Sequence, residues 1–171
     1  EDWRGENPEL VSNQQLIDRL SQRISKNGQS QLRLNDDERF IAADLPPGWQ
    51  FVPVGLVGDV YLGRQRSPDN HNGPHMRPYV RAANITWQGW DLSDVKEMNF
   101  DPKDFARYKL QVGDVLINEG SGSADEVGKP AIWKGDIEDC CFQNTLICVR
   151  PHEGMSDFLY YVFLHAAMSK S

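Results

Sequence analysis

The chain has 171 residues, a length at which one domain with a small addition is the usual arrangement. Its formal net charge of −7 argues against an indiscriminate polyanion binder, and no apolar run is long enough to span a membrane. Three cysteines do not make a disulfide framework, so we expect reduced, cytoplasmic thiols that pack as small apolar residues. Cys140 and Cys141 are adjacent, which on a strand places them on opposite faces.

Residues 1–44 are predicted to form a helix followed by a linker. Ser12 and Gln15 have the spacing of a capping box, and Asn27-Gly28 supplies a stop signal. The apolar positions between them share one helical face: Leu16, Ile17, Leu20 and Ile24. Residues 29–44 carry an acidic cluster and indicate a charged linker.

Residues 45–155 are predicted to form a separate domain of short strands. Leu45-Pro46-Pro47-Gly48-Trp49 precludes regular structure and marks the start of this domain. Strand-like runs follow at residues 50–54, 57–62, 79–85, 95–98, 115–117, 131–133 and 144–149. Brief runs separated by Gly, Pro, Asn and Asp favour an α+β fold with a twisted, mostly antiparallel sheet or partial barrel.

Two further helices are predicted in the second half of the chain. Asp101-Pro102 places a capping residue before proline at the first helical position, so residues 103–108 are expected to make one or two turns. Ser156 is expected to cap a last helix that begins in residues 156–171. The apolar stripe of that helix is Phe158, Leu159, Val162, Phe163 and Ala166.

Motifs of common enzyme classes are absent from the sequence. There is no G-x-S-x-G elbow, no phosphate loop, no H-E-x-x-H and no glycine-rich dinucleotide or S-adenosylmethionine turn. His71 and His75 are four residues apart, but Asn72-Gly73-Pro74 prevents the helix that would bring them together at a metal ion. We therefore expect no catalysis and no metal site in this chain.

Positive charge in the middle of the chain is concentrated in one long polar loop. The four basic residues of 45–90 are Arg64, Arg66, Arg77 and Arg81. Arg and Gln read guanine and adenine edges through paired hydrogen bonds, and Arg also holds phosphates. We expect this loop, with Gln65, to contact nucleic acid, and Arg81 and Asn84 to extend the same surface. The alternative is a disordered loop with incidental charge.

A second polar segment follows the predicted strand at 115–117. Asn118, Ser121 and Ser123 offer hydrogen-bond donors and acceptors, and the glycines between them let the backbone approach another molecule. Lys129 is expected at the rim of this segment as a phosphate contact. The alternatives are a flexible surface turn and a plain solvated lysine.

Six short segments occur in a characteristic order between residues 45 and 150. They are residues 45–49, 58–60, 79–85, 108–116, 127–131 and 142–147. Together they resemble the target recognition domain of type I restriction–modification specificity subunits. Residues 10–44 resemble the helix and charged linker that precede such a domain, and residues 157–168 resemble the start of the helix that follows it.

The resemblance implies a DNA-reading subunit without catalysis of its own. In that family two such domains each read half of a split target, and long helices between them set the spacing. Methyltransferase subunits modify adenine, and a separate restriction and motor subunit cleaves unmodified DNA. We expect no cofactor on this chain, since S-adenosylmethionine and ATP would be bound by those partners. A fragment, a half-subunit that pairs with a second copy, and part of a larger polypeptide all remain open.

On this interpretation, the loop at 64–77 and the loop at 118–129 converge on one edge of the sheet and enter a groove of B-DNA. The candidates for base contacts are Arg64, Gln65, Arg66, Arg77, Asn118, Gln143 and Asn144, while Arg81 and Lys129 position the backbone. Two other classes remain open. One is a carbohydrate- or peptide-binding β-module, and the other is an assembly module that binds no DNA.

Overall fold

The structure is a computed structural model that describes Gln15, Asp18, Gln22, residues 52–152 and residues 154–169. The chain divides into two compact units, Glu1–Val57 and Gly58–Ser171. In the first unit the three described residues near the N-terminus are helical, and a short helix, α1, spans Val54–Val57. The remainder of the predicted N-terminal helix, the linker and the boundary at residue 45 lie outside the described residues.

The second unit is a mixed α+β domain. Its strands are β1 (Gly58–Leu62), β2 (Met76–Val80), β3 (Ile85–Thr86), β4 (Gly89–Trp90), β5 (Lys96–Asn99), β6 (Val115–Asn118), β7 (Pro130–Ile132), β8 (Cys141–Phe142) and β9 (Leu146–Pro151). Its helices are α2 (Pro102–Tyr108) and α3 (Ser156–Met168), with short 3-10 helices at Pro68–Asn70, Ala82–Asn84 and Ala124–Glu126.

The strands of this unit form three sheets. Their strand orders are β1-β9-β6-β7, β5-β2-β8 and β3-β4. Every neighbouring pair is antiparallel except β2 and β8, so the prediction of mostly antiparallel pairing is confirmed. The described strands do not close into a barrel, and the predicted partial barrel is not confirmed.

Among the described residues, two clusters of buried side chains hold the sheets together. The larger includes Leu116 of β6 and Cys148 of β9, which are register partners and point to the same side of their sheet. The smaller contains Tyr79, Met98, Phe100 and Cys141. Cys140 belongs to the larger cluster and Cys141 to the smaller, so their expected placement on opposite faces is confirmed. All three cysteines are free thiols.

The predicted strands match the structure except where a proline or a side-chain hydrogen bond intervenes. The strand predicted at 50–54 is wrong for the described residues 52–54. Pro53 lacks an N–H, and its carbonyl accepts from the Leu56 N–H in a helical turn. The run at 79–85 is split in two: Asn84 Oδ1 accepts from the Arg81 N–H at 3.0 Å and closes a 3-10 turn between β2 and β3. The two-residue strands β4 and β8 were not predicted.

The two later helices form where the sequence predicts them, with one difference at a cap. Asp101 Oδ1 accepts from the N–H groups of Lys103 and Asp104 and caps α2 as expected. Ser156 does not cap α3: it is the first helical residue, and its hydroxyl donates to the Gly113 carbonyl at 2.7 Å. Among the described helices, none is both long and apolar enough to cross a membrane.

A buried ion pair fixes the turn that leads into β6. Asp114 is 1% exposed, and its two carboxylate oxygens each accept a 2.8 Å hydrogen bond from the Arg150 guanidinium on β9. Asp114 also accepts from the Gln111 N–H at 2.8 Å, which closes the turn locally. The hydrogen bonds to Asp114 raise the pKa of Arg150. This bidentate pair sets where β6 starts, and therefore where the segment after β6 emerges.

Candidate nucleic-acid interface

The turn at 143–145, which joins β8 to β9, holds three other segments together. The Arg64 N–H donates to the Phe142 carbonyl and the Asn144 N–H donates to the Arg64 carbonyl, both at 3.1 Å. The Thr145 carbonyl accepts from the N–H groups of Glu119 and Gly120, at 3.0 and 3.2 Å. The Ala82 N–H donates to Thr145 Oγ1 at 3.0 Å. The segments that follow β1, β2 and β6 therefore meet at one turn.

We call the surface made by residues 65–66, 81–83, 120–123 and 143–145 the loop face. It contains a shallow cavity of about 290 Å³. The cavity is lined by Arg81, Ala82, Ala83, Gly120, Ser121, Gly122, Glu126, Gln143 and Thr145. Gly63 makes the close approach beneath this face possible, since a Cβ there would collide with the Gln143 carbonyl. The lining combines small residues with a few polar groups, so a planar polar ligand can approach the backbone closely.

Arg64 points inward and not toward this face. Its side chain is 14% exposed, and Nη2 lies 2.7 Å from the Asp104 carboxylate and 3.0 Å from Asn70 Oδ1. Nη1 donates to the Asn99 carbonyl, and the guanidinium lies 5.1 Å from the centre of the Phe100 ring. The expectation that Arg64 presents its charge to a ligand is therefore wrong, because these intramolecular contacts take up the guanidinium.

Arg77 belongs to a different cluster. Its guanidinium lies 5.1 Å from the centre of the Phe105 ring on α2, and Nε lies 3.9 Å from Asp139. Lys109 Nζ lies 2.6 Å from the same Asp139 carboxylate and lowers its pKa. None of these partners belongs to the loop face, so the expected convergence does not include Arg77.

Arg81 lines the cavity, while Asn84 is buried beneath it. Arg81 Nη2 lies 2.8 Å from Asp94, whose pKa is lowered first by Lys96 and then by Arg81. Asn84 is 2% exposed, accepts from the Arg81 N–H and donates to the Asp91 carbonyl at 2.9 Å. The prediction that Asn84 extends the contact surface is corrected, because the turn uses both ends of its amide.

Asn118 and Lys129 are also buried. Asn118 is 1% exposed, and its side-chain amide has no protein partner among the described residues. The Lys129 side chain is 5% exposed, with Nζ in an ion pair with Glu126 and 5.1 Å from the centre of the Trp87 ring. The expected rim position of Lys129 is therefore wrong: its charge is neutralised inside the protein.

The remaining predicted residues belong to the segments of the loop face and are exposed or half-buried. Gln65, Arg66, Ser121 and Ser123 are exposed, and Gln143 and Asn144 are half-buried. Within the described part of the chain, Arg66 has no ion-pair partner. Thr145 was not predicted, although polar Gln143-Asn144-Thr145 interrupts an otherwise apolar run and is the one signal that marks it.

The described residues offer little for a metal ion or a reactive thiol. No three His, Cys, Asp or Glu side chains among them are grouped so as to hold a metal. Burial raises the pKa of the Cys140 and Cys141 thiols to about 12, and it raises the pKa of Cys148 as well. What the loop face does offer is hydrogen-bond donors, acceptors and two arginine side chains.

Comparison with known proteins relates the chain to one family. No protein-family model matches it. The StySPI specificity subunit of a type I restriction enzyme from Salmonella potsdam and the EcoKI specificity subunit from Escherichia coli (strain K12) are each 30% identical to it over 117 residues. Each alignment covers 66% of this chain and 24% of the relative, so the chain spans about a quarter of the relatives' length.

The fold is similar to that of one solved structure. The HsdS subunit from Thermoanaerobacter tengcongensis matches with a TM-score of 0.51 and 25% sequence identity, over 75% of this chain and 30% of that one. By sequence and by fold, the chain is similar to a part of the specificity subunits of type I restriction enzymes.

Proposed function

We propose that this chain carries a domain that binds one half of a duplex DNA target in a sequence-specific manner and performs no catalysis of its own. Its relatives are named as specificity subunits of restriction enzymes. The observation that carries the proposal is the 143–145 turn, because it holds the segments after β1, β2 and β6 at one surface. Several short loops on a rigid sheet are a common way to present side chains to a ligand.

The exposed chemistry of the loop face suits DNA. Gln65, Arg66, Gln143 and Asn144 offer the amide and guanidinium groups that recognise base edges. Ser121 and Ser123 are hydroxyl donors for phosphate oxygens. Arg81 lines the cavity, and on binding its guanidinium would leave Asp94 and contact the DNA backbone. In this proposal the inward-pointing residues shape the face without touching DNA: Arg64, Arg77, Asn84, Asn118 and Lys129.

The proposal extends to the assembly in which such a domain works. A DNA adenine methyltransferase subunit and a restriction and translocase subunit would be its partners, and they would bind S-adenosylmethionine and ATP. A second recognition domain, or a second copy of this chain, would read the other half of the target. Helix α3 exposes Phe158, Tyr161 and Val162, which suits the start of a spacer helix. A cytoplasmic location follows from that role.

A selection from a random-sequence DNA duplex library tests the proposal directly. The chain would be incubated with the library with and without a methyltransferase subunit, and the retained duplexes sequenced. We expect enrichment of one short sequence, with binding that weakens as salt rises. Retention of duplexes without any enrichment would contradict sequence reading, and no retention in either condition would favour an assembly module.

A carbohydrate- or peptide-binding module gives a different result in the same format. Such a module would bind its ligand with little dependence on salt, because phosphate contacts and counterion release would not contribute. If binding of the selected duplex does not weaken as the salt concentration rises, that result counts against the proposed function.

A further inference from the structure

The side chain of Gln143 is oriented by two consecutive hydrogen bonds. The Ala82 N–H donates to Thr145 Oγ1 at 3.0 Å, and the Thr145 hydroxyl donates to Gln143 Oε1 at 3.4 Å. All three residues line the same cavity of the loop face. The oxygen end of the Gln143 amide therefore faces the wall of the cavity.

The direction of these bonds follows from what each group can do. A main-chain N–H only donates, so Thr145 Oγ1 accepts from Ala82. The hydroxyl has a single proton, which it gives to the Gln143 carbonyl oxygen, a group that only accepts. Gln143 Nε2 carries two N–H donors and has no partner among the described residues.

We infer that Gln143 reads a base edge as a donor only, and that Thr145 is the positioning residue that holds it so. This rests on the proposed function. A glutamine that is free to turn recognises adenine with both ends of its amide, donating to N7 and accepting from N6. With its oxygen engaged by Thr145, Gln143 offers N–H donors, which match the N7 and O6 acceptors of guanine in the major groove. The base at this position is therefore guanine in preference to adenine.

Three substitutions separate this arrangement from an ordinary glutamine contact. Thr145→Val removes the hydroxyl and keeps the shape of the side chain, whereas Thr145→Ser keeps the hydroxyl and serves as the matched control. Gln143→Glu replaces the donor end of the amide by an acceptor oxygen. The full chain and each variant would be selected against the same random-sequence duplex library, and the base preference compared position by position.

The wild-type chain and Thr145→Ser are expected to share a guanine preference at one position. At that position Thr145→Val moves the preference toward adenine by about tenfold, because the freed carbonyl can accept from N6. Gln143→Glu abolishes the guanine preference there and favours cytosine, whose N4 is a donor. A duplex with 7-deazaguanine at that position binds the wild type more weakly, since N7 is missing, and makes no difference to Gln143→Glu.

Several outcomes would overturn the inference. The inference is overturned if the wild type prefers adenine at the position that depends on Gln143. It is also overturned if Gln143→Glu changes the base preference at no position. If Gln143→Glu changes the base preference and a folded Thr145→Val does not, Thr145 is not a positioning residue. If Thr145→Val does not fold, the identity of the base at the Gln143-dependent position decides. A wild-type chain that enriches no sequence would instead refute the proposed function.

Discussion

The Arg64 guanidinium lies 2.7 Å from the Asp104 carboxylate, and this contact ties the segment after β1 to helix α2. The same guanidinium contacts Asn70 in the middle of the long loop and the carbonyl of Asn99 at the end of β5, so it also ties the loop to that strand. Arg66, two residues later, is exposed and has no ion-pair partner in the described part of the chain. The two arginines therefore differ in role, although they look alike in the sequence. Arg64 stabilises the loop, and Arg66 is available to a ligand.

We expect Arg64→Met to destabilise the fold by about 2 kcal/mol, because it removes a half-buried guanidinium whose partners are then left unsatisfied. Arg66→Met should change stability by no more than about 0.5 kcal/mol. It should instead weaken binding of the selected duplex and reduce the salt dependence of binding by about one charge. Urea unfolding and duplex titrations at several salt concentrations measure the two effects separately.

The pairing of Arg64 with Asp104 has its own control. A double-mutant cycle with Arg64→Met and Asp104→Asn should show a coupling free energy of about 1 kcal/mol or more. A coupling free energy of zero would contradict a stabilising Arg64–Asp104 pair. Equal destabilisation by Arg64→Met and Arg66→Met would contradict the different roles of the two arginines.

The ion pair of Lys129 with Glu126 predicts an asymmetry between its two partners. Glu126→Gln leaves a buried ammonium without a counter-charge and is expected to cost about 2 kcal/mol. Lys129→Met removes the charge and keeps apolar contact with Trp87, so it should cost less than about 1 kcal/mol. Because Lys129 is buried, Lys129→Met should leave the salt dependence of duplex binding unchanged. A salt dependence reduced as in Arg66→Met would restore Lys129 as a phosphate contact.

The carboxylate of Asp94 predicts a loss of stability in acid. Hydrogen bonds from Lys96 first and Arg81 second lower its pKa below the ordinary value of 3.8. The unfolded chain therefore takes up this proton more readily than the folded chain does. The stabilisation is fully present above the ordinary pKa and is lost as pH falls through the folded pKa.

Asp94→Asn should therefore unfold less steeply in acid than the wild type when urea unfolding is followed from about pH 6 down to about pH 3. Lys96→Met should show part of the same flattening, since it removes the larger cause of the shift. An acid dependence that is identical in all three proteins would show that the Asp94 interactions do not contribute.

The three cysteines are expected to be unreactive in the folded chain. Cys140 and Cys141 are buried, with the pKa of both thiols raised to about 12 by burial, so almost no thiolate is present at neutral pH. Alkylation by iodoacetamide at about pH 8 should proceed only as fast as the chain opens, and should become rapid in denaturant. Complete labelling of the native chain within minutes would contradict the buried positions.

Local sequence predicts the strands whose apolar residues form continuous runs. Strands β6, β7 and β9 fall within one or two residues of the runs at 115–117, 131–133 and 144–149. Strands β4 and β8 have two residues each, too few to show any period. The break after β2 depends on the Asn84 side chain, whose hydrogen bond to Arg81 competes with continued strand pairing and has no signal in an apolar pattern.

The candidate site was predictable as a set of loops and not as a set of exposed side chains. Serine, glycine and arginine content marked the segments that meet at the 143–145 turn. Whether a charged residue faces out depends on partners far along the chain. Trp87 lies 42 positions from Lys129, and Asp104 lies 40 positions from Arg64, so these two contacts could not be inferred from neighbours in the sequence. The contact of Thr145 with Ala82 is likewise made by the fold, because the two residues are far apart in the sequence.

Hydrogen exchange of the full chain with and without the selected duplex tests most directly whether the loop face binds DNA. With the selected duplex, we expect slower amide exchange in the segments containing residues 65–66, 81–83, 120–123 and 143–145, and with a scrambled duplex much weaker protection. Protection confined to α3 or to the side of the domain around Trp87, with the loop face unchanged, would contradict DNA binding by the loop face.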